Sequence, residues 1–256
     1  MAHLRFGWIG SERGEYTDTV TSELASLYQI EAKARLALST GLPGTRAHLT
    51  MAPRPRHGWD PGVIPDSASR AAGLILLYPL GNRPHLVLTV RSGQLASHAN
   101  QVSFPGGTIE PDETVSEAAL REAAEEVGVD PVQVRVLGTL SPLYIPVSHF
   151  ALHPVLGTTP RRPAFRPEPG EVGRVLEVSV ETLRTQGSRH GYRWRAADRF
   201  EVPYFELASE RVWGATAMVL AELIAMLAKP DDDRSSGPTA GAQSAWRSGG
   251  QTPANA

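Results

Sequence analysis

Hydrophobic and polar positions along the chain alternate in blocks that predict a mixture of strands and helices. The continuous apolar run over 71–77 is typical of a buried strand, and 85–90 predicts a neighbouring strand paired through the Gly81–Asn82 turn. Apolar residues recur at helical spacing over 17–40 and 213–227, which predicts a helix at each place. Further strands are predicted at 134–137, 150–156, 193–194 and 202–205, with a short helix at 180–184. Mixed strands enclosed by helices predict an α/β fold of the sandwich type.

The same pattern divides the chain into three parts. Residues 1–66 comprise the N-terminal helix and a proline-rich arm, residues 67–229 form the main domain, and residues 230–256 are a polar tail that we predict to be disordered. Five prolines between positions 40 and 66 predict a loop or arm in place of a packed unit. The arm either covers a substrate or a partner subunit, or simply packs on the surface, and we favour surface packing.

Composition excludes several classes of protein. The net charge of −2 provides no general attraction for nucleic acid, and the absence of cysteine excludes disulfides and thiolate metal sites. The first twenty residues do not resemble a secretory signal, and no long apolar run predicts a membrane span. We therefore expect a cytoplasmic protein that binds neither nucleic acid nor membrane.

The strongest chemical signal is a group of one arginine and three acids within six residues, namely Arg121, Glu122, Glu125 and Glu126. Thr114 and Glu117 form a capping box that opens a helix, and Gly128 is suited to end it. On such a helix the three glutamates share neighbouring positions of one face, and Arg121 is placed to pair with Glu125. The segment therefore predicts a helix that presents a concentrated negative charge.

This charge points to a bound cation. Acids packed so closely repel one another unless a cation lies among them, and Mg²⁺ prefers oxygen ligands and binds readily to phosphates. Upstream, Gly106 and Gly107 allow a tight turn that brings a backbone carbonyl to the same place. The alternative is a solvated helix face, but the full set of charged residues and glycines at these intervals favours metal-assisted chemistry on a phosphate.

The segment resembles the Nudix box, G-x5-E-x7-R-E-U-x-E-E-x-G-U, in which U is a bulky aliphatic residue. Every fixed position is present, at Gly107, Glu113, Arg121, Glu122, Glu125, Glu126 and Gly128. Ala123 is smaller than the aliphatic residue expected at its position, which concerns packing and leaves the chemistry intact. The resemblance implies an α/β/α sandwich with a mixed sheet, and a hydrolase that uses Mg²⁺ or Mn²⁺ to cleave a diphosphate linked to another group.

The resemblance also implies roles for the residues of the box. The implied catalytic residues are Arg121, Glu122, Glu125 and Glu126, and the implied metal ligands are Gly107, Glu122, Glu125, Glu126 and Glu171. Glu122 is closest to the role of base and is oriented by Arg121, whereas Glu113 and Gly128 are structural. Glu171 matches an acidic position in a late loop of the family, and a solvent-facing loop charge is the equal alternative.

A second resemblance, to the coenzyme A pyrophosphatases of this family, lies just upstream of the box. The matching positions are Thr89, Arg91, Ser92, Phe104, Pro105, Gly106 and Gly107, while Ala96 replaces an arginine and Asn100 a glycine. The implied substrate-binding residues are Arg91, Ser92, His98 and Phe104. The implied products are phosphopantetheine and adenosine 3′,5′-bisphosphate.

Two other functions remain open from the sequence. One is hydrolysis of another nucleoside diphosphate derivative, such as ADP-ribose, a dinucleoside polyphosphate or a nucleoside triphosphate. The other is a domain that senses a nucleotide without catalysis, which the complete set of acids disfavours. In every case the expected partner is a small-molecule nucleotide, and a homodimer is left open.

Overall fold

The continuous apolar run forms β1 (Ser69–Leu80), the strand around which the fold is organised. A computed structural model describes residues 12–93, 101–187, 189–195 and 198–228. β1 pairs with β2 (Arg83–Arg91) in an antiparallel hairpin and with β7 (Phe150–Thr158) as a parallel strand on its other side. Gly81 and Asn82 connect the hairpin with φ values of 55° and 59°, so the predicted turn is confirmed.

The remaining strands extend this sheet on both sides of β1. In the described ranges the sheet has eight strands, which also include β3 (Val102–Ser103), β4 (Gly106–Thr108), β5 (Arg135–Thr139), β6 (Leu143–Ile145) and β8 (Val172–Ser179). β4 pairs with the first half of β1, where Ala72 lies opposite Gly107, and β8 pairs with β2. A separate three-stranded sheet consists of β9 (Arg189–Arg195), β10 (Asp198–Leu207) and β11 (Glu210–Trp213).

Helices cover both faces of the larger sheet. They are α1 (Glu12–Thr40), α2 (Gly44–Met51), α3 (Val115–Val127), α4 (Val180–Thr185) and α5 (Ala215–Leu227), with a 3₁₀ turn at Pro131–Gln133. α3 packs through Ala119 and Ala123 on the face that carries Leu74, whereas Ile75 and Leu77 point to the opposite face, which α1 and α5 cover. The predicted α/β/α sandwich with a mixed sheet is confirmed.

The segment over 40–66 differs from the sequence prediction. A loop or arm was expected throughout, which is wrong for α2, because His48 and Met51 on this helix are buried against α5. The carboxylate of Glu222, which is fully buried in α5, accepts hydrogen bonds from the backbone N–H groups of Gly44 (3.1 Å) and Ser141 (3.2 Å) and contacts His48 Nε2 at 2.9 Å. A buried charge needs such partners, and α2 provides two of them.

Beyond α2 the proline-rich arm is anchored at two points. Trp59 packs partly buried on the core, with the Arg56 guanidinium 4.9 Å from the centre of its ring. The backbone of Arg54 exchanges two hydrogen bonds of 2.9 Å with Glu201 in β10. A role of the arm in covering a substrate or a partner subunit stays a prediction, as do the domain boundaries.

No helix within the described ranges is both long enough and apolar enough to cross a membrane. The predicted disorder of 230–256 lies outside the residues that the structure describes.

Candidate active site

The helix α3 carries most of the candidate site, and its two ends match the sequence prediction. Thr114 caps the first turn by accepting a hydrogen bond from the backbone N–H of Glu117, and the Glu117 carboxylate accepts one from Thr114 in return. Gly128 follows the last turn with φ 70°, the left-handed conformation that favours glycine. Both signals that set the helix boundaries are therefore confirmed.

Arg121 is the centre of a network that fixes the acids around it. Its Nε donates to Glu113 at 2.7 Å, and its Nη1 donates to Glu122 at 2.9 Å and to Glu125 at 3.1 Å. Its Nη2 donates to the carbonyl of Thr108 at 3.0 Å, which ties the helix to the end of β4. The predicted pair of Arg121 and Glu125 is thus confirmed, and the Glu125 side chain is otherwise 60% exposed.

Glu122 and Glu126 approach the glycine turn that precedes the box. The Glu122 carboxylate lies so close to Gly107 that a Cβ atom there would be 2.4 Å from Oε1. Glu126 is only 4% exposed, and its Oε2 accepts a hydrogen bond of 3.2 Å from the backbone N–H of Gly106. Its Oε1 lies 4.0 Å from Nη1 of Arg91, which projects from the end of β2.

Burial changes the proton affinity of these two acids in the same direction. Desolvation raises the pKa of Glu122, although the hydrogen bond from Arg121 opposes the change. Desolvation raises the pKa of Glu126 to about 7, and the negative charges of Glu122 and Glu171 add to this effect. In Glu113, by contrast, the hydrogen bond from Arg121 lowers the pKa. The site therefore contains two carboxylates that lack sufficient compensating positive charge.

The other predicted residues fall into three groups. The backbone N–H of Ser92 donates to the Glu171 carbonyl at 2.8 Å, so both residues lie beside the site, and Glu171 is close enough to act electrostatically on Glu122 and Glu126. Phe104 is 6% exposed within the core, which favours packing over contact with a substrate. His98 lies outside the residues that the structure describes, as do Ala96 and Asn100.

Two contributions to the site were not predicted from the sequence. The N–H of Gly106 holds Glu126, and the carbonyl of Thr108 holds Arg121. Every residue has a backbone carbonyl and nearly every residue a backbone N–H, so the sequence does not show which of them contact a side chain. The adjacent glycines, which allow a close approach of the backbone, were the only signal for these contacts.

The oxygen-rich donor set fits a hard divalent cation. No group of three or more acidic or histidine side chains converges closely on one point within the described ranges, so the arrangement is not a closed cage. Nevertheless, the partly buried Glu122 and the buried Glu126 both lie beside the glycine turn, and desolvation raises the pKa of each despite Arg121 and Arg91, so a further positive charge would stabilise their ionised forms. Mg²⁺ or Mn²⁺ could be held by these residues, with the open side facing solvent and substrate.

The raised pKa of Glu126 predicts that metal-free protein loses stability as the pH rises. The folded protein binds this proton more tightly than the unfolded chain does, so the stabilisation is complete below about pH 4.5 and is lost as the pH rises through about 7. The loss is about 3 kcal/mol in the free energy of unfolding. Urea unfolding in EDTA between about pH 5 and 8 measures it against Glu126→Gln, which should lack this component. Equal pH slopes for the two proteins would contradict the expectation.

Comparisons with known proteins agree with this geometry. A family model described as the NUDIX domain matches residues 68–197. A protein named uncharacterized Nudix hydrolase NudL from Photorhabdus laumondii is 34% identical over 157 residues, which cover 60% of this chain and 83% of that protein. A protein of the same name from Escherichia coli is 38% identical over 154 residues, which cover 58% of this chain and 79% of that protein.

Among solved structures, a Nudix hydrolase from M. smegmatis named RenU is similar to this chain. The sequence identity is 22% and the TM-score is 0.40, with 50% of this chain and 82% of that chain covered.

Proposed function

The chain belongs to the Nudix family, and on that premise we propose that this pyrophosphohydrolase cleaves the diphosphate of coenzyme A or its derivatives. The products would be phosphopantetheine and adenosine 3′,5′-bisphosphate. The proposal includes a cytoplasmic location and a small-molecule nucleotide as the binding partner. A homodimer stays a prediction.

The observation that carries the proposal is the approach of Arg91 to Glu126. Arg91 belongs to the upstream segment that resembles coenzyme A pyrophosphatases, and Glu126 belongs to the box, yet their charged groups are 4.0 Å apart. Two residues from different sequence patterns, more than thirty positions apart, thus meet in one place. A guanidinium beside metal-binding carboxylates is suited to a substrate that brings phosphate oxygens to the same spot.

The remaining residues have distinct proposed roles. Glu122, Glu126 and the Gly107 carbonyl would hold Mg²⁺ or Mn²⁺, with Glu125 and Glu171 as further ligands. When bound, the cation neutralises phosphate oxygens and makes a coordinated water more acidic. Glu122 is the proposed base, because Arg121 fixes its orientation and burial raises its pKa. Glu113 holds Arg121 from the other side.

A second candidate is hydrolysis of another nucleoside diphosphate derivative, such as ADP-ribose, a dinucleoside polyphosphate or a nucleoside triphosphate. The observation that favours it is Ala96, which stands where the coenzyme A pyrophosphatase pattern has an arginine. Loss of a guanidinium removes a bidentate contact with phosphate, so the affinity for coenzyme A would be reduced.

A substrate screen separates the two candidates. Purified protein with Mg²⁺ or Mn²⁺ is expected to cleave coenzyme A with a kcat/KM at least about tenfold above that for any of the alternatives, a difference of about 1.4 kcal/mol in transition-state binding. The products are identified by chromatography. If coenzyme A is inert while ADP-ribose or another compound is cleaved, only the substrate assignment fails. Ala96→Arg then tests whether this position governs the choice, because it should raise kcat/KM for coenzyme A.

A further inference from the structure

The end of β2 holds Arg91 in a fixed position beside the acids of the site. Its backbone N–H donates to the carbonyl of Gln101 at 2.9 Å on one side, and the following residue, Ser92, donates to Glu171 at 2.8 Å on the other. The pairing of β2 with β8 shifts register between Val90 and Arg91. Such an irregularity redirects the side chain that follows it, and here that side chain reaches Glu126.

The two arginines of the site differ in how fully their donors are used. All three nitrogens of the Arg121 guanidinium donate hydrogen bonds to the surrounding acids and to Thr108. In Arg91 the Nε atom is buried and has no hydrogen-bond partner among the described residues, and Nη1 is 4.0 Å from Glu126, beyond hydrogen-bond distance. Arg91 therefore neutralises Glu126 through charge, and at the end of its side chain, which is 30% exposed, the Nη1 donor stays available for another acceptor.

The negative charge of Glu126 is only partly compensated by its neighbours. Among the residues that the structure describes, its carboxylate accepts one hydrogen bond, from Gly106, and Arg91 is the positive group that acts on it. A divalent cation placed on this carboxylate would meet the positive charge of Arg91 at short range and would be repelled by it. A diphosphate that bound together with the cation would reverse this repulsion, because its oxygens can accept from the unused donors of Arg91.

We propose that Arg91 is the counter-ion of Glu126 in the metal-free protein and is released to the substrate diphosphate when a divalent cation takes Glu126. Arg91 is then a positioning residue that weakens binding of the cation alone and strengthens binding of cation and substrate together. By linkage, each of the two ligands raises the affinity for the other. This inference rests on the proposed hydrolase function. It adds that Arg91 passes from Glu126 to the diphosphate when the cation binds.

The test uses Mn²⁺ as the probe and measures its binding without substrate, by calorimetry or electron paramagnetic resonance. The measurement is made at about pH 8.5, above the pKa of about 7 that burial gives Glu126, to limit proton competition. Arg91→Gln is expected to bind Mn²⁺ about three- to tenfold more tightly than the parent protein, because a nearby positive charge is removed. In the same variant the KM for the cleaved substrate should rise about tenfold, because a charge-assisted contact is lost. A merely structural role would not move the two constants in opposite directions.

Three further variants keep the result interpretable. Arg91→Lys retains the charge, so its Mn²⁺ affinity should stay near that of the parent protein. Arg91→Met retains the apolar stem and should repeat the tighter Mn²⁺ binding if Arg91→Gln folds poorly. Arg174→Gln removes a positive charge from the neighbouring strand, where Arg174 pairs with Glu210, and should leave both constants unchanged.

The double variant Arg91→Gln/Glu126→Gln identifies the group through which Arg91 acts. If Arg91 competes with the cation for Glu126, removing Arg91 should tighten Mn²⁺ binding less in the Glu126→Gln background than in the parent protein. Unchanged or weaker Mn²⁺ binding in both Arg91→Gln and Arg91→Met would overturn the counter-ion role while leaving the hydrolase function standing. Failure of the parent protein to bind Mn²⁺ or to cleave any diphosphate would instead overturn the proposed function.

Discussion

Glu126→Gln is expected to lower the rate of diphosphate hydrolysis by about 10³-fold, the largest effect of any single side chain in the site. Glutamine has nearly the same shape, so the fold should persist, and it can still accept the hydrogen bond from Gly106. What it lacks is the negative charge that would hold a divalent cation. Because the cation would neutralise the phosphate and make a bound water more acidic, its loss is expected to remove several kcal/mol of transition-state stabilisation.

The measurement is kcat at saturating substrate across a range of Mg²⁺ and Mn²⁺ concentrations. Glu117→Gln is a matched control, since Glu117 lies on the same helix in the capping box and glutamine serves equally well there. That control should retain nearly full activity. If Glu126→Gln retains more than about a tenth of the parent rate at every metal concentration, the buried carboxylate is not a ligand and the proposed mechanism fails.

Adding one methyl group to the glycine turn is expected to reduce stability at Gly106 and catalytic rate at Gly107. In Gly106→Ala the new Cβ would lie 2.2 Å from the carbonyl oxygen of Ala72 and 2.6 Å from Cα of Gly73, so backbone would have to move. This separates β4 from β1 and should cost about 2–4 kcal/mol in the free energy of unfolding. In Gly107→Ala the overlap is with the carboxylate of Glu122 at 2.4 Å, which can move by rotating its side chain.

Gly107→Ala should therefore fold with nearly normal stability and yet lose about 100-fold in kcat, because displacement of the proposed base disturbs its alignment. Denaturant unfolding and steady-state kinetics of the two variants provide the comparison. Gly73→Ala serves as the control, since Gly73 pairs with Gly106 across the strands and its new Cβ would make only ordinary contacts at 3.5 Å. A Gly107→Ala protein with normal kcat would show that the position of the Glu122 carboxylate is not important for the reaction.

The sequence was sufficient to predict the catalytic helix and its surroundings because those features depend on local chemistry. Thr114 and Glu117 satisfy each other's backbone at the start of α3, and Gly128 adopts the left-handed conformation at its end. The continuous apolar run that becomes the buried strand β1 and the two-residue turn at Gly81 are likewise set by neighbouring residues. Elements of this kind are specified within a few positions, so a single sequence contains their signal.

The distribution of charge within the site could not be predicted in the same way. Helical spacing places Glu122, Glu125 and Glu126 near one another, but only the structure shows that Glu125 is directed to Arg121 while Glu126 is buried beside Gly106. Arg91 reaches Glu126 through a register shift between β2 and β8, which depends on residues some eighty positions apart. No local pattern records such a contact.

The helix α2, in the proline-rich segment over 40–66, is a second feature that depends on non-local contacts. α2 has few strong helix signals of its own, and its burial depends on a carboxylate in α5, far along the chain. The predicted loop was wrong there because tertiary contacts outweighed local propensity.

The pairing of Glu222 with α2 limits how far this protein can be truncated. The stretch that matches the family begins at residue 68 and stops at 197, so it omits the acid and two of the three groups that solvate it, Gly44 and His48. A shortened protein that retained α5 without α2 would bury the ionised Glu222 carboxylate with only one of its three donors. An uncompensated buried charge is among the most destabilising defects in a protein interior. The smallest piece able to stand alone is therefore larger than the recognisable motif at both ends.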